Sequence, residues 1–164
     1  GEILYDQAPV AFLPASKIQA HLLKEDDVVV VTTADCGLTA VFQQQDFDYI
    51  PSAYSVKYRF NEEMNPYYFK YFMGTDFATR QVNKYVRQGT LGNLPGSDVL
   101  EFLIGKPAID EQKQVVERIK SINTKIELEQ SVLYKNHKIK SGLMQDLLSG
   151  KVEVSVSKEP IINS

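Results

Sequence analysis

Apolar and polar residues follow different rhythms along this chain, and each rhythm predicts its own kind of element. Val28-Val29-Val30-Val31-Thr32 is a β-branched run, too short for most helices and typical of a buried strand. Cys36-Gly37 permits a turn, and Leu38-Thr39-Ala40-Val41-Phe42 predicts the antiparallel return strand. From Ala53 to Phe60 the pattern alternates. That predicts a strand with Tyr54, Val56, Tyr58 and Phe60 on one face and Ser55, Lys57 and Arg59 on the other. A helix is expected to open at Asn65-Pro66, because Asn caps well and Pro is tolerated in the first turn. It runs to about Met73, and after Gly74 a second helix is expected from Asp76 to Val86. Gln88 to Gly96 is a glycine-rich loop, and Val99 to Ile104 predicts one further strand.

At Pro107 the rhythm changes. From Asp110 to Ser149 there is no proline and only one glycine, Gly142. Roughly forty helical residues extend about 60 Å at 1.5 Å rise per residue. Val115, Ile119, Ile122, Ile126 and Leu133 follow the alternating four- and three-residue steps of a coiled-coil seam. Glu129 and Asn136 interrupt that seam, and the apolar phase resumes through Ile139, Leu143 and Leu147. Polar residues in such a seam commonly fix register and partner at some cost in stability. Gly150 is a natural helix terminator, Lys151 to Val156 alternates like a short strand, and a polar tail begins at Ser157. A narrow apolar stripe on one long helix cannot be buried against itself, so a partner helix is expected. The predicted class is α+β: a β-rich globule over 1–106, a long coiled-coil-like helix over 107–150, and a strand and tail over 151–164.

Composition narrows the function. Hydrophobic residues make up 43% and charged residues 24%, which excludes wholesale disorder. No stretch reaches the ~20 apolar residues of a membrane span, and Gly1 to Asp6 has no feature of a secretory signal. Cys36 is the one cysteine, so neither an internal disulfide nor a thiolate metal cluster is expected, and a reducing cytoplasm fits best. His21 and His137 lie too far apart in sequence for a local zinc motif. Cys36 has no histidine near it in sequence, and no nucleophile–base pair or nucleotide fingerprint appears. The glycine loop lacks the Lys-Ser/Thr ending of a phosphate-binding loop, and no helix is expected directly after it. A hydrolytic enzyme is set aside, and neither metal nor cofactor is expected.

Charge is uneven. The net charge is −3, but residues 1–56 carry −6 and residues 57–93 carry +3. Lys57, Arg59, Arg80, Lys84 and Arg87 in that basic middle are candidates for phosphate contacts; for any one alone, a solvated surface is the plainer reading. Gln88, Thr90 and Asn93 sit in the glycine loop, where backbone can approach a groove. Asn and Gln pair with adenine and Arg with guanine, which makes Arg87 and Gln88 candidate base readers. The glycines serve a plain turn equally well. Thr32 to Gly37 reads as a hairpin turn before it reads as a groove contact. Tyr67, Tyr68, Phe69, Tyr71 and Phe72 suggest base stacking, but their place on a helix favours core.

Pro107-Ala108-Ile109-Asp110-Glu111-Gln112 is similar to the Pro-Pro-Leu-x-Glu-Gln opening of the spacer helix in specificity subunits of type I restriction-modification systems. The helix end, Lys140-Ser141-Gly142-Leu143-Met144-Gln145-Asp146-Leu147-Leu148-Ser149-Gly150-Lys151-Val152, resembles that family's closing signature. More loosely, Asp27-Val28-Val29-Val30 resembles its Gly-Asp-Ile/Leu-Leu/Val strand, and Gly89 to Leu94 its loop before the last strand. The resemblance implies a non-catalytic module in which a target-recognition domain reads double-stranded DNA and a helical spacer docks methyltransferase subunits. Those partners would use S-adenosylmethionine and, through a restriction subunit, ATP and magnesium. Lys57, Arg59, Arg80, Lys84, Arg87, Gln88, Thr90 and Asn93 would then face DNA. Val115, Ile119, Ile122, Ile126, Leu133, Ile139, Leu143 and Leu147 would form a dimer or partner seam. One recognition domain and one spacer correspond to half a subunit; either the recognition domain is expected to lack the N-terminal strands of the family pattern or the chain is a truncation, and a homodimer is expected to restore the whole. The alternative is an interaction module that binds methyltransferase through its helix without productive reading of DNA.

Overall fold

A computed structural model describes residues 1–153. They form two compact units, Gly1–Arg118 and the stretch from Ile119 onward, and the boundary falls inside one helix. After a short α1 (Ala15–Ile18), the first unit is built on β1 (Val28–Val31), β2 (Thr39–Val41) and β3 (Ser55–Tyr58), an antiparallel sheet of order β2-β1-β3. Val28 faces Val41 and Tyr58, while Val30 faces Thr39 and Val56. Strand alternation therefore puts Val28 and Val30, both fully buried, on the core side.

The expected hairpin is present. Its turn depends on Gly37, which has φ +90° and lies where a Cβ would meet Val82 Cγ2 at 2.8 Å. The third strand is shorter than its alternation predicts. Val56, Tyr58 and Phe60 keep to the core side, whereas Tyr54 precedes β3 and is 65% exposed.

Two helices cover the core side of the sheet. In α2 (Pro66–Met73) the Asn65 carboxamide accepts from the Tyr67 and Tyr68 amides, and Thr75 caps α3 (Asp76–Tyr85) by accepting from Ala78 N–H. Phe69 and Met73 on α2, and Ala78 and Val82 on α3, sit four residues apart and share one core with Val28, Val30, Val41, Leu94, Val99 and Phe102. Tyr67 and Phe72 pack against that core, and Tyr68 Oη donates to Gly105 O at 2.8 Å. Tyr67, Phe69 and Phe72 are thus core residues and Tyr68 is tied to the Gly105 backbone, as their place on a helix favoured.

One expected element is absent. Val99 to Ile104 is not a strand: α4 (Gly96–Val99) and a turn occupy its start. Leu103 then finds a side-chain partner where a strand would find backbone. Gln81 Oε1 accepts from Leu103 N–H at 2.7 Å and Gln81 Nε2 donates to Leu103 O at 3.0 Å. One carboxamide thus satisfies the segment's backbone at that point, and no ladder is required.

The long helix α5 spans Ile109–Leu148, within a residue of its expected limits, and Gly150 follows at φ +72°. Its first turns belong to the globule through Gln112, which is completely buried. Gln112 Oε1 accepts from Asn65 N–H at 2.8 Å, and Nε2 donates to Glu63 O and Pro107 O, each at 2.9 Å. Beside it Val116 is buried, Val115 is half-buried, and Lys106 Nζ meets Glu63 Oε2 at 2.6 Å. That ammonium holds the Glu63 carboxyl below the usual carboxylate range. Lys151 to Glu153 has no strand, and the rest of the expected strand lies outside the described residues. Among the described residues no helix is long and apolar enough to cross a membrane.

Candidate nucleic-acid interface

At the end of α3 the chain runs into a clamped loop. The Arg87 and Asn93 backbones exchange two hydrogen bonds, at 2.8 and 3.1 Å, and close the loop from Gln88 to Gly92. Its returning leg is docked on the β1–β2 turn. Leu94 N–H donates to Thr32 O at 2.8 Å, Ala34 N–H donates to Gly92 O at 3.0 Å, and Thr33 bridges Asn93. The Cys36 thiol completes the junction by pointing at Thr32 O (3.2 Å) and Gly92 O (3.5 Å). Gly92 eases this approach: a Cβ there would lie 3.2 Å from Val86 Cγ1, close enough that the valine would have to shift. The hairpin turn from Thr32 to Gly37 therefore buttresses the glycine loop.

Anchored at its base, the loop presents its polar side chains outward. Arg87, Gln88, Thr90 and Asn93 are all exposed, with Leu91 between them. Arg80 and Lys84 are exposed on α3 one turn apart, a spacing that places them on one face leading to Arg87. Lys84 Nζ lies 5.2 Å from the Tyr85 ring centroid, so its stem is held against the helix end. Six of the eight expected DNA-facing residues thus belong to one stretch of chain and to one end of β1.

Lys57 and Arg59 are placed differently. They lie toward the other end of β1, whose four residues span about 13 Å at roughly 3.3 Å each. Both cations are engaged by acceptors of the fold itself. Lys57 Nζ donates to Ala20 O at 3.1 Å and Leu22 O at 2.9 Å. Arg59 makes a bidentate pair with Asp27, Nε to Oδ1 and Nη2 to Oδ2, each at 2.6 Å. Asp27 is fully buried and also accepts from Lys24 N–H at 2.8 Å, and its hydrogen bonds push the Arg59 guanidinium pKa up. The sequence contained a signal for this pair: an acidic residue opening a buried strand needs a cation beside it.

Tyr58 is a third internal anchor. Its hydroxyl donates to Gly96 O at 2.6 Å, and burial raises its pKa to about 12. Among the described residues no three His, Cys, Asp or Glu side chains gather as metal ligands. The exposed chemistry of the loop is hydrogen bonding and positive charge, suited to anionic backbones and base edges.

The type I restriction modification DNA specificity domain family matches residues 13–135, which include β1 to β3, the clamped loop and most of α5. The chain is also similar to the type I restriction enzyme MjaVIII specificity subunit of Methanocaldococcus jannaschii, 25% identical over 162 residues. That alignment covers 94% of this chain and 38% of the relative.

Proposed function

The chain belongs to the type I restriction modification DNA specificity domain family, and from that membership we propose that it reads double-stranded DNA as the specificity component of a type I complex. The observation that carries this reading is the loop from Arg87 to Asn93, clamped at its base, exposed at its side chains and continued by Arg80 and Lys84. In this reading Arg80 and Lys84 hold phosphates, and Arg87, Gln88, Thr90 and Asn93 meet base edges. Lys57 and Arg59 act as braces of the fold, because Lys57 donates to Ala20 O and Leu22 O and Arg59 is held in its pair with the buried Asp27. The chain does no chemistry and needs no cofactor. It works in the cytoplasm by directing a methyltransferase subunit, and through it a restriction subunit, to the sequence it has read. Two copies pair through the exposed apolar residues of α5 between Ile122 and Leu147.

The test uses the protein assembled with its methyltransferase subunit and short duplexes over a range of salt. Lys84→Ala should weaken all sequences alike and make the salt slope shallower by about one unit. Gln88→Ala should instead relax discrimination at one base pair, by roughly 1–3 kcal/mol for a bidentate contact. If both variants bind methyltransferase normally and neither alters DNA binding, the chain is an interaction module and the loop is only a turn.

A further inference from the structure

Leu91 is the one aliphatic side chain between Arg87 and Asn93. It is 61% exposed, whereas Leu94, three residues on, is completely buried in the core. A single exposed leucine is ordinary on a protein surface. Its company sets Leu91 apart. Gly89 and Gly92 flank the tip of the loop, so Thr90 and Leu91 supply the side chains there. Arg87, Gln88 and Asn93, all exposed, stand on either side of them along the chain with hydrogen-bonding groups. The tip is tight, since a Cβ at Gly89 would lie 3.5 Å from Leu91 O. Its base is fixed by the paired Arg87 and Asn93 backbones and by the bonds from Leu94 to Thr32 and from Ala34 to Gly92. Leu91 is thus held out on a short, anchored turn, and such a side chain loses little freedom on contact.

We propose, on the reading that this loop meets base edges, that Leu91 is a specificity-determining residue that seats on the C5-methyl group of a thymine in the major groove. Base edges in that groove offer donors, acceptors and one apolar group, the thymine methyl. The polar side chains of the loop match the first two, and Leu91 matches the third. The carboxamides of Gln88 and Asn93 point to the same kind of base pair. Each can pair bidentately with adenine N6 and N7, and the partner of adenine is thymine. One edge of an A·T pair therefore carries both the bidentate site and the methyl.

The contact also fixes the groove. The minor groove has no methyl and presents A·T and T·A alike. An apolar wedge between base steps would act from that side and kink the duplex, but the loop's carboxamides would then lose the N6 and N7 edge of adenine.

The test uses the full chain assembled with its methyltransferase subunit. A preferred duplex is selected from a pool randomised in sequence. Each thymine in it is then replaced singly by deoxyuridine, which removes the methyl and keeps every hydrogen-bonding group. At one position uracil should weaken wild-type binding by about fourfold, the factor that corresponds to one buried methyl group. Leu91→Ala should bind the thymine duplex less tightly and treat the two bases alike, whereas Leu91→Met should keep the preference. Leu91→Ala should leave the salt slope and thermal unfolding unchanged, because it removes neither a phosphate contact nor a buried group. A uracil series that never weakens the wild type overturns the methyl contact and leaves DNA reading standing. So does a preference that survives in Leu91→Ala, a selected target without an A·T pair, or a Leu91→Ala defect that lies in methyltransferase binding. A complex that selects no sequence at all overturns both.

Discussion

Replacing Gln112 with alanine should cost the globule roughly 3–5 kcal/mol, and the figure follows from what the carboxamide holds. Gln112 is fully buried, and its two polar atoms serve three backbone groups: Asn65 N–H, Glu63 O and Pro107 O. Truncation leaves all three without that partner. Each costs about 1 kcal/mol where water enters the vacated space, which sets the lower figure, and one of the three left dry at up to about 3 kcal/mol sets the upper. Asn65 is also the cap of α2, so its displacement adds part of a capping contribution of ~1 kcal/mol. Against a typical total of about 5–15 kcal/mol the variant is folded but visibly weakened. Thermal unfolding by circular dichroism should shift down by roughly 10–20 °C for a unit of this size. Amide exchange at Asn65 should accelerate by more than at α3. Gln114→Ala, exposed on the same helix, is the control and should stay within about 0.5 kcal/mol of the wild type. A shift below about 3 °C for Gln112→Ala would refute the idea that this clasp ties α5 to the globule.

Arg59→Met should lower stability by about 2–4 kcal/mol, somewhat less than for a fully buried pair because the guanidinium side chain is 50% exposed. Its DNA affinity per folded molecule should stay unchanged, and a shallower salt slope would return Arg59 to the phosphate contacts. Tyr58 should titrate near pH 12 by its phenolate absorbance. Because its folded pKa lies above the unfolded value, this group's contribution is complete below about pH 10 and is lost as pH rises through 12. A Tyr58 that titrates with the exposed tyrosines would contradict its burial and its bond to Gly96.

What the sequence determined by itself is what depends on short stretches of chain. The strand run from Val28, the turn at Gly37, the cap Asn65 and the helix ending at Gly150 follow from dihedral preferences, capping and periodicity, which act within one or two turns. The uninterrupted α5 was legible for the same reason. Tertiary structure decided which polar side chains were free. Lys57 and Arg59 looked like the start of a basic surface, yet their partners lie 32 to 37 residues earlier, and only the packing of β3 beside β1 brings them within reach. Val99 to Ile104 carries a strand's composition, but Gln81, 22 residues away, takes the Leu103 backbone groups first. Gly92 could have been an ordinary turn residue until the loop was laid on Val86 and Cys36. A buried hydrogen bond has no period, and its partner is whichever group the core sets within about 3 Å.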